Sequence, residues 1–223
     1  MVIARFPRMT QGQRDAQVQA WALRMLTVLG VRLELRGRPP VHGPVLLVAN
    51  HISWLDILVM HAARHCRFVS KADVRGWPLI GTLASAAGTL YIERQSRRDA
   101  MRVVHQMAES LRQGDVVAVF PEGTTSEGLA LLPFHANLIQ AAISTDGPVQ
   151  PVGLSFLDTR TRAATLAPCY VGDDSLAASI WRTLSAPSIT AVVHYGEAQM
   201  AQGRDRRTWA RDLRSAVDAL RSG

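Results

Sequence analysis

Two short clusters in this sequence carry residue types that can move a proton or hold an anion. The first is Asn50-His51-Ile52-Ser53-Trp54-Leu55-Asp56. It follows a run of branched and leucine residues, Pro44 to Ala49, that reads as a buried strand. It opens a helical pattern over Trp54 to Ala63. Reactive groups collect where the strands of an α/β sheet end. Across such a strand-to-helix turn, Asp56 can fold back to one ring nitrogen of His51 and leave the other free as a general base. The spacing also has a plainer reading. Ser53 and Asp56 make an S-x-x-D pair, a variant of the capping box, in which Asp56 only secures the helix start.

The second cluster is Phe120-Pro121-Glu122-Gly123-Thr124-Thr125-Ser126, directly after the most apolar strand candidate, Val116 to Phe120. A Gly turn with hydroxyl side chains offers backbone N–H groups and O–H donors to an anion, and Glu122 adds an acceptor. Read plainly, it is a surface turn with a solvated glutamate. Gly88 to Arg94 runs through a short strand, Thr89 to Ile92, into Arg94, which could grip a phosphate. Ser53 lies on no GxSxG elbow, which argues against a serine nucleophile. His61 and His65 stand one helical turn apart. They lack the glutamate of HExxH and a third ligand, so no metal site is expected.

The elements that must hold these groups alternate. Helix patterns at about Leu79 to Ala87, Asp99 to Arg112, His135 to Ile143 and Arg206 to Leu220 interleave with strand candidates. The strands are Val31 to Arg36, Arg67 to Ser70, Val149 to Phe156 and Ile189 to Tyr195. In the Asp99 helix, Met101, Val104, Met107, Ala108 and Leu111 share one face. The expected fold is a single α/β domain with a central, largely parallel or mixed sheet flanked by helices. Ahead of it, Asp15 to Leu29 forms an amphipathic helix with Val18, Trp21, Ala22, Met25, Leu26, Val28 and Leu29 on one broad arc. That helix either packs on its own core or lies in a headgroup layer.

With 223 residues, 48% of them hydrophobic, the chain is neither disordered nor too short for a core. Its two cysteines, Cys66 and Cys169, form no CxxC pair. The net charge of +7 comes almost wholly from arginine, Lys71 being the one lysine. That surplus suits a polyanion. Aromatics are 6% and no basic patch is interleaved with them, so a membrane face is favoured over nucleic acid. No run of about 18 apolar residues could span a bilayer, and the N-terminus lacks the apolar core of a secretory signal. The expected place of work is the cytoplasmic face of a membrane, with the protein peripheral or monotopic.

Asn50, His51 and Asp56 together resemble the NHxxxxD motif of the glycerolipid acyltransferases, nearest to the 1-acylglycerol-3-phosphate acyltransferases. Gly88 to Arg94 resembles the family's GxxFIxR block, with Tyr91 for phenylalanine. Phe120 to Ser126 resembles FPEGTRS, and Val149 to Val152, centred on Pro151, resembles the short fourth block. Leu132-Pro133-Phe134 matches a frequent LPF step. All four blocks occur in order between about residues 31 and 155.

The resemblance implies an acyltransferase domain over 31–223, with residues 1–30 as a membrane-associating helix. It implies direct transfer of an acyl group from acyl-ACP or acyl-CoA to the free hydroxyl of a lysophospholipid, foremost 1-acyl-sn-glycerol-3-phosphate. His51 and Asp56 would be catalytic and no cofactor would be needed. Arg94, Glu122, Gly123, Thr124 and Thr125 would hold the acceptor. Thr125 departs from the pattern, because the family usually has an arginine there that is associated with the acceptor's phosphate. Relatives with threonine or serine at that point resemble lyso-ornithine-lipid acyltransferases. The rival class is a non-catalytic lipid-binding membrane module. It accounts for the charge and the amphipathic helix but not for the histidine–aspartate spacing.

Overall fold

A computed structural model describes residues 9–76, 80–92 and 97–223. Seven strands form one sheet: β1 (Val31–Arg36), β2 (Val45–Ala49), β3 (Arg67–Lys71), β4 (Leu90–Ile92), β5 (Val116–Val119), β6 (Val149–Asp158) and β7 (Ile189–Tyr195). Their order is β1-β7-β6-β2-β5-β3-β4. Every neighbouring pair is parallel except β6 and β7. The expected mixed α/β sheet is therefore present.

The central strands β2 and β5 are buried along their whole length, which explains why they read as unbroken apolar runs. Their alternate residues feed two cores. Leu47, Ala49, Val116 and Ala118 point to one face, while Leu46, Val48, Val117 and Val119 point to the other. On the first face lie α1 (Gln11–Val28) and α2 (Leu55–Ala63). On the second lie α4 (Arg97–Arg112), α5 (Gln140–Ser144) and α7 (Arg206–Ser222). Two further helices are α3 (Ile80–Ala86) and α6 (Leu176–Ser185).

α1 begins earlier than its periodicity suggested. Thr10 and Gln13 close a capping box that carries the helix back to Gln11. Its stripe of Val18, Ala22 and Leu26 is buried against α2, and the Gln19 amide donates to the Ala62 and Ala63 carbonyls at the end of α2. The outer face leaves Leu23 and Arg24 exposed, and with them Val28, expected on the inward arc but turned toward solvent at its edge. In α4 the inward stripe is Val103, Met107, Ala108 and Leu111; Met101, expected on it, is 72% exposed. The His135 to Ile143 pattern resolves into a 3-10 turn over Ala136–Ile139 followed by α5. α6 escaped the sequence reading altogether, because its inward positions are Ser179 and Thr183 and not an apolar stripe. No helix among the described residues is long and apolar enough to cross a membrane.

Candidate active site

The parallel pairing of β2 with β5 aligns Val48 with Val119. That register brings the two chemistry-bearing turns, 50–56 and 120–126, to the same edge of the sheet, although they are far apart in sequence. On the other side of β2, Ala49 aligns with Val152 of β6. The buried Asn50 side chain donates to the Leu154 carbonyl and accepts the Leu154 N–H, so it straps the turn to β6.

His51 and Asp56 meet, with His51 Nδ1 2.8 Å from Asp56 Oδ2. Asp56 is fully buried, whereas the His51 side chain keeps 19% of its surface open. The same Oδ2 accepts the Ile52 and Ser53 N–H groups at 2.7 and 2.9 Å. One oxygen thus braces the turn ahead of α2 and orients His51, whereas the N-cap of α2 is Trp54, with no side-chain cap hydrogen bond, so the Ser53–Asp56 pair does not close a capping box. Asp56 Oδ2 already accepts two backbone N–H groups, so a hydrogen on His51 Nδ1 completes the set and leaves Nε2 with the lone pair. The ring lies flat on Phe120, with centroids 4.0 Å apart and planes within 6°. Phe120 stacks in turn on Phe68, which meets the edge of His61. Ser53 is occupied structurally: its hydroxyl donates to the Pro168 carbonyl and accepts the Leu55 N–H.

Glu122 is buried and spans two turns. One oxygen accepts the His51 N–H and the other the Leu132 N–H, both at 2.8 Å. Burial pushes its carboxyl above the usual value, against the pull of those two N–H groups. Gly123 has φ of 75°, a left-handed turn suited to glycine. The Thr124 side chain is exposed, and the Thr125 hydroxyl donates to the Tyr170 carbonyl. Tyr170 N–H reaches back to the Ile52 carbonyl, so the 168–170 segment closes over the helix start. Arg94 lies outside the described residues.

The loop after Gly128 is held by α7. Arg221 donates to the Gly128 and Leu129 carbonyls, and Arg214 to those of Leu131 and Leu132. α7 comes this close because of Gly153 on β6, where a Cβ would sit 2.5 Å from the Arg221 nitrogen. The sequence gives no sign of these arginines' role, since a basic amphipathic helix reads the same whether its cations face water or a loop. Phe120 and Asn50 belong to quoted motifs, but their stacking and strapping roles emerge only from the register. His61 is buried with its Nδ1 unpartnered, and burial pushes it down to about 3. Among the described residues no three ligand side chains gather for a metal.

This arrangement suits drawing a proton from a hydroxyl at a partly open imidazole backed by a buried carboxylate. Comparison with known proteins shows the family. A family model described as Acyltransferase matches residues 31–155. The chain is 37% identical over 210 residues to the 1-acyl-sn-glycerol-3-phosphate acyltransferase of Neisseria gonorrhoeae, covering 93% of this chain and 81% of that one. It is also 37% identical over 204 residues to the lyso-ornithine lipid O-acyltransferase of Pseudomonas aeruginosa, covering 92% and 78%. The crystal structure of the 1-acyl-sn-glycerophosphate acyltransferase of Thermotoga maritima shares the fold, with a TM-score of 0.73 at 19% identity over 100% of this chain and 88% of that one. The chain belongs to the acyltransferase family that contains the 1-acylglycerol-3-phosphate and lyso-ornithine lipid enzymes, and it is an O-acyltransferase.

Proposed function

We propose that this protein moves a fatty acyl group from acyl-ACP or acyl-CoA to the free hydroxyl of a lysophospholipid, foremost 1-acyl-sn-glycerol-3-phosphate, giving phosphatidic acid. The observation that carries the proposal is the His51–Asp56 pair at an open sheet edge. His51 Nε2 takes the hydroxyl proton as the acceptor oxygen attacks the thioester carbonyl. The C–S bond then breaks, and the imidazolium returns its proton to the departing thiolate. Asp56 stabilises the imidazolium in between, and no acyl-enzyme forms. The Gly123-Thr124 turn faces the acceptor's head group, and Glu122 holds that turn against His51. Acceptors of this kind live in bilayers. The arginine surplus and the outer face of α1 therefore suit an anionic membrane, at its cytoplasmic side.

The test is lyso-lipid and acyl donor incubated with wild type and with His51→Ala, read by mass spectrometry of the diacyl product. Loss of a general base costs roughly 10²–10⁴-fold. Full turnover by a folded His51→Ala protein would sink the mechanism.

A second reading of the acceptor has its own support. Thr125 replaces the family's arginine and spends its hydroxyl on Tyr170, and a 37%-identical relative is named for lyso-ornithine lipid. Wild type and Thr125→Arg assayed on both acceptors separate the two. A phosphate acceptor should tolerate or prefer the added cation, whereas an amine-bearing head group should be repelled.

A further inference from the structure

α7 carries Arg207, Arg211 and Arg214 along one side, at helical spacings that align them. Elsewhere among the described residues Arg36, Arg67, Arg102, Arg112, Arg162, Arg182 and Arg204 find carboxylates, while others, such as Arg14 and Arg64, find backbone carbonyls. Of Arg207, Arg211 and Arg214, none has a carboxylate at ion-pair distance among the described residues. Arg214 points two donors at the Leu131 and Leu132 carbonyls. Arg211 reaches only the Thr208 hydroxyl, at 3.5 Å. The Arg207 guanidinium makes no hydrogen bond within the described residues. Asp205, at the helix start, feels the Arg211 charge, but its oxygens take the Arg207 and Thr208 N–H groups and the Thr208 hydroxyl.

Arg207, Arg211 and Arg214 line a half-open groove of about 520 Å³ together with Pro133, Phe134, Ala136 and Ala210, which supply its apolar floor. That volume is within the range of small-ligand sites, roughly 300–1,000 Å³. Three cations with one nearby carboxylate, Asp205, still repel one another, so a bound anion relieves them. The apolar floor asks for a ligand that also offers a flat or greasy part.

The groove shares a wall with the catalytic turn. Leu132 gives its N–H to Glu122, and Pro133 and Phe134, the next two residues, line the groove. His135 N–H bonds the Pro121 carbonyl, pinning the same wall. A lysophosphatidic acceptor carries its phosphate a few bonds from the reacting hydroxyl, so its phosphate must stay on the His51 side. A coenzyme thioester carries its phosphates and adenine at the far end of a long arm from the reacting carbonyl. That geometry fits a site one loop away.

We propose that the Arg207–Arg211–Arg214 groove binds the phosphorylated nucleotide end of an acyl-coenzyme A donor. The guanidinium groups take the phosphates and Phe134 takes the base. This deepens the acyl-transfer reading and rests on it for the donor's identity.

The test uses the full-length protein and coenzyme A itself, by calorimetry, so it needs no turnover. Wild type, Arg207→Gln/Arg211→Gln and Arg207→Lys/Arg211→Lys are compared, with 3′-dephospho-coenzyme A as a second probe. Both arginines are exposed, and a thermal melt confirms folding. The glutamine pair should weaken coenzyme A binding about tenfold or more, and the lysine pair should restore part of it. Dephospho-coenzyme A should bind more weakly than coenzyme A to wild type. In turnover, the glutamine pair should raise the KM for acyl-coenzyme A and leave the KM for the lyso-lipid in place.

Unchanged coenzyme A affinity in the glutamine pair would overturn the proposal. So would a KM increase confined to an acyl-carrier-protein donor, which would make the stripe a contact for an acidic protein surface. A KM increase for the acceptor alone would also overturn it. Failure of the acyl-transfer reading looks different: no diacyl product with any donor, whatever coenzyme A does in the calorimeter.

Discussion

Replacing Asp56 by asparagine removes one charge and almost no volume, so it asks what the buried anion contributes. Asp56 Oδ2 holds three donors: the Ile52 N–H, the Ser53 N–H and His51 Nδ1. Asparagine keeps all three only by placing its carbonyl oxygen there. Its NH2 then falls where Oδ1 now sits, a buried spot with no hydrogen-bond partner among the described residues. An unsatisfied buried donor costs about 1–3 kcal/mol, which sets the expected loss of stability. The His51 tautomer survives this swap, but the counter-charge for the imidazolium does not. Two unit charges about 4 Å apart at an effective dielectric near 20 attract by roughly 4 kcal/mol. His51 is partly open to solvent, so about 3 kcal/mol is a fairer figure, or roughly 10²-fold in kcat. The assay is single-turnover acyl transfer with saturating lyso-lipid, beside a thermal melt of the same preparation. A variant that loses stability yet keeps kcat within a few-fold of wild type would refute the dyad. Asp56 would then be a brace for the 52–53 turn and nothing more.

Other expectations follow from neighbouring contacts. Glu122→Gln offers one acceptor and one donor to two N–H groups, so either His51 or Leu132 loses its partner; a fall in both stability and kcat is expected, the former by about 1–3 kcal/mol. A carboxyl whose folded value is raised binds its proton more tightly when folded, so its stabilising contribution is full at acid pH and is lost as pH rises through that value. Melts between about pH 4 and 7 should show wild type losing ground to Glu122→Gln as pH rises; parallel curves would contradict the shift. Arg221→Met strips the Gly128 and Leu129 carbonyls of their donors and should lower kcat several-fold with little change in donor KM; an effect confined to KM would place the 128–132 loop in substrate binding. Arg24→Glu with Val28→Glu alters only the outer face of α1, so binding to anionic vesicles should weaken while the melt holds; unchanged binding would move the membrane contact elsewhere.

The alternation of strands and helices was legible because buried parallel strands are short apolar runs and their helices carry apolar stripes. His51 and Asp56 were legible for a local reason, since a strand-to-helix turn can bring together residues five apart. Glu122 was visible as a candidate but not as a brace. Its partners, His51 N–H and Leu132 N–H, are brought together only by the β2–β5 register and the path of the following loop. α6 was invisible because Ser179 and Thr183 face inward, where Ser179 accepts the Trp54 indole N–H. Periodicity counts apolar residues and misses a helix seated by hydroxyls. Met101 was assigned to the buried face of α4 from its place on the helical arc; the helix turns Val103 inward instead.

The edge strand β1 has a consequence for how the chain reaches this state. Among the described residues its only ladder is with β7, pairing Val31 with Ile189 and Arg36 with His194. During synthesis β1 must therefore wait, unpaired, until β7 has emerged. Closing so long a loop is slow compared with local helix formation. The β2, β5 and β6 ladders need less chain, so the catalytic edge can assemble before the N-terminal edge is sealed. Chains cut short before Ile189 would leave both β1 and the outer side of β6 with open hydrogen-bonding edges, the kind of surface that recruits other chains.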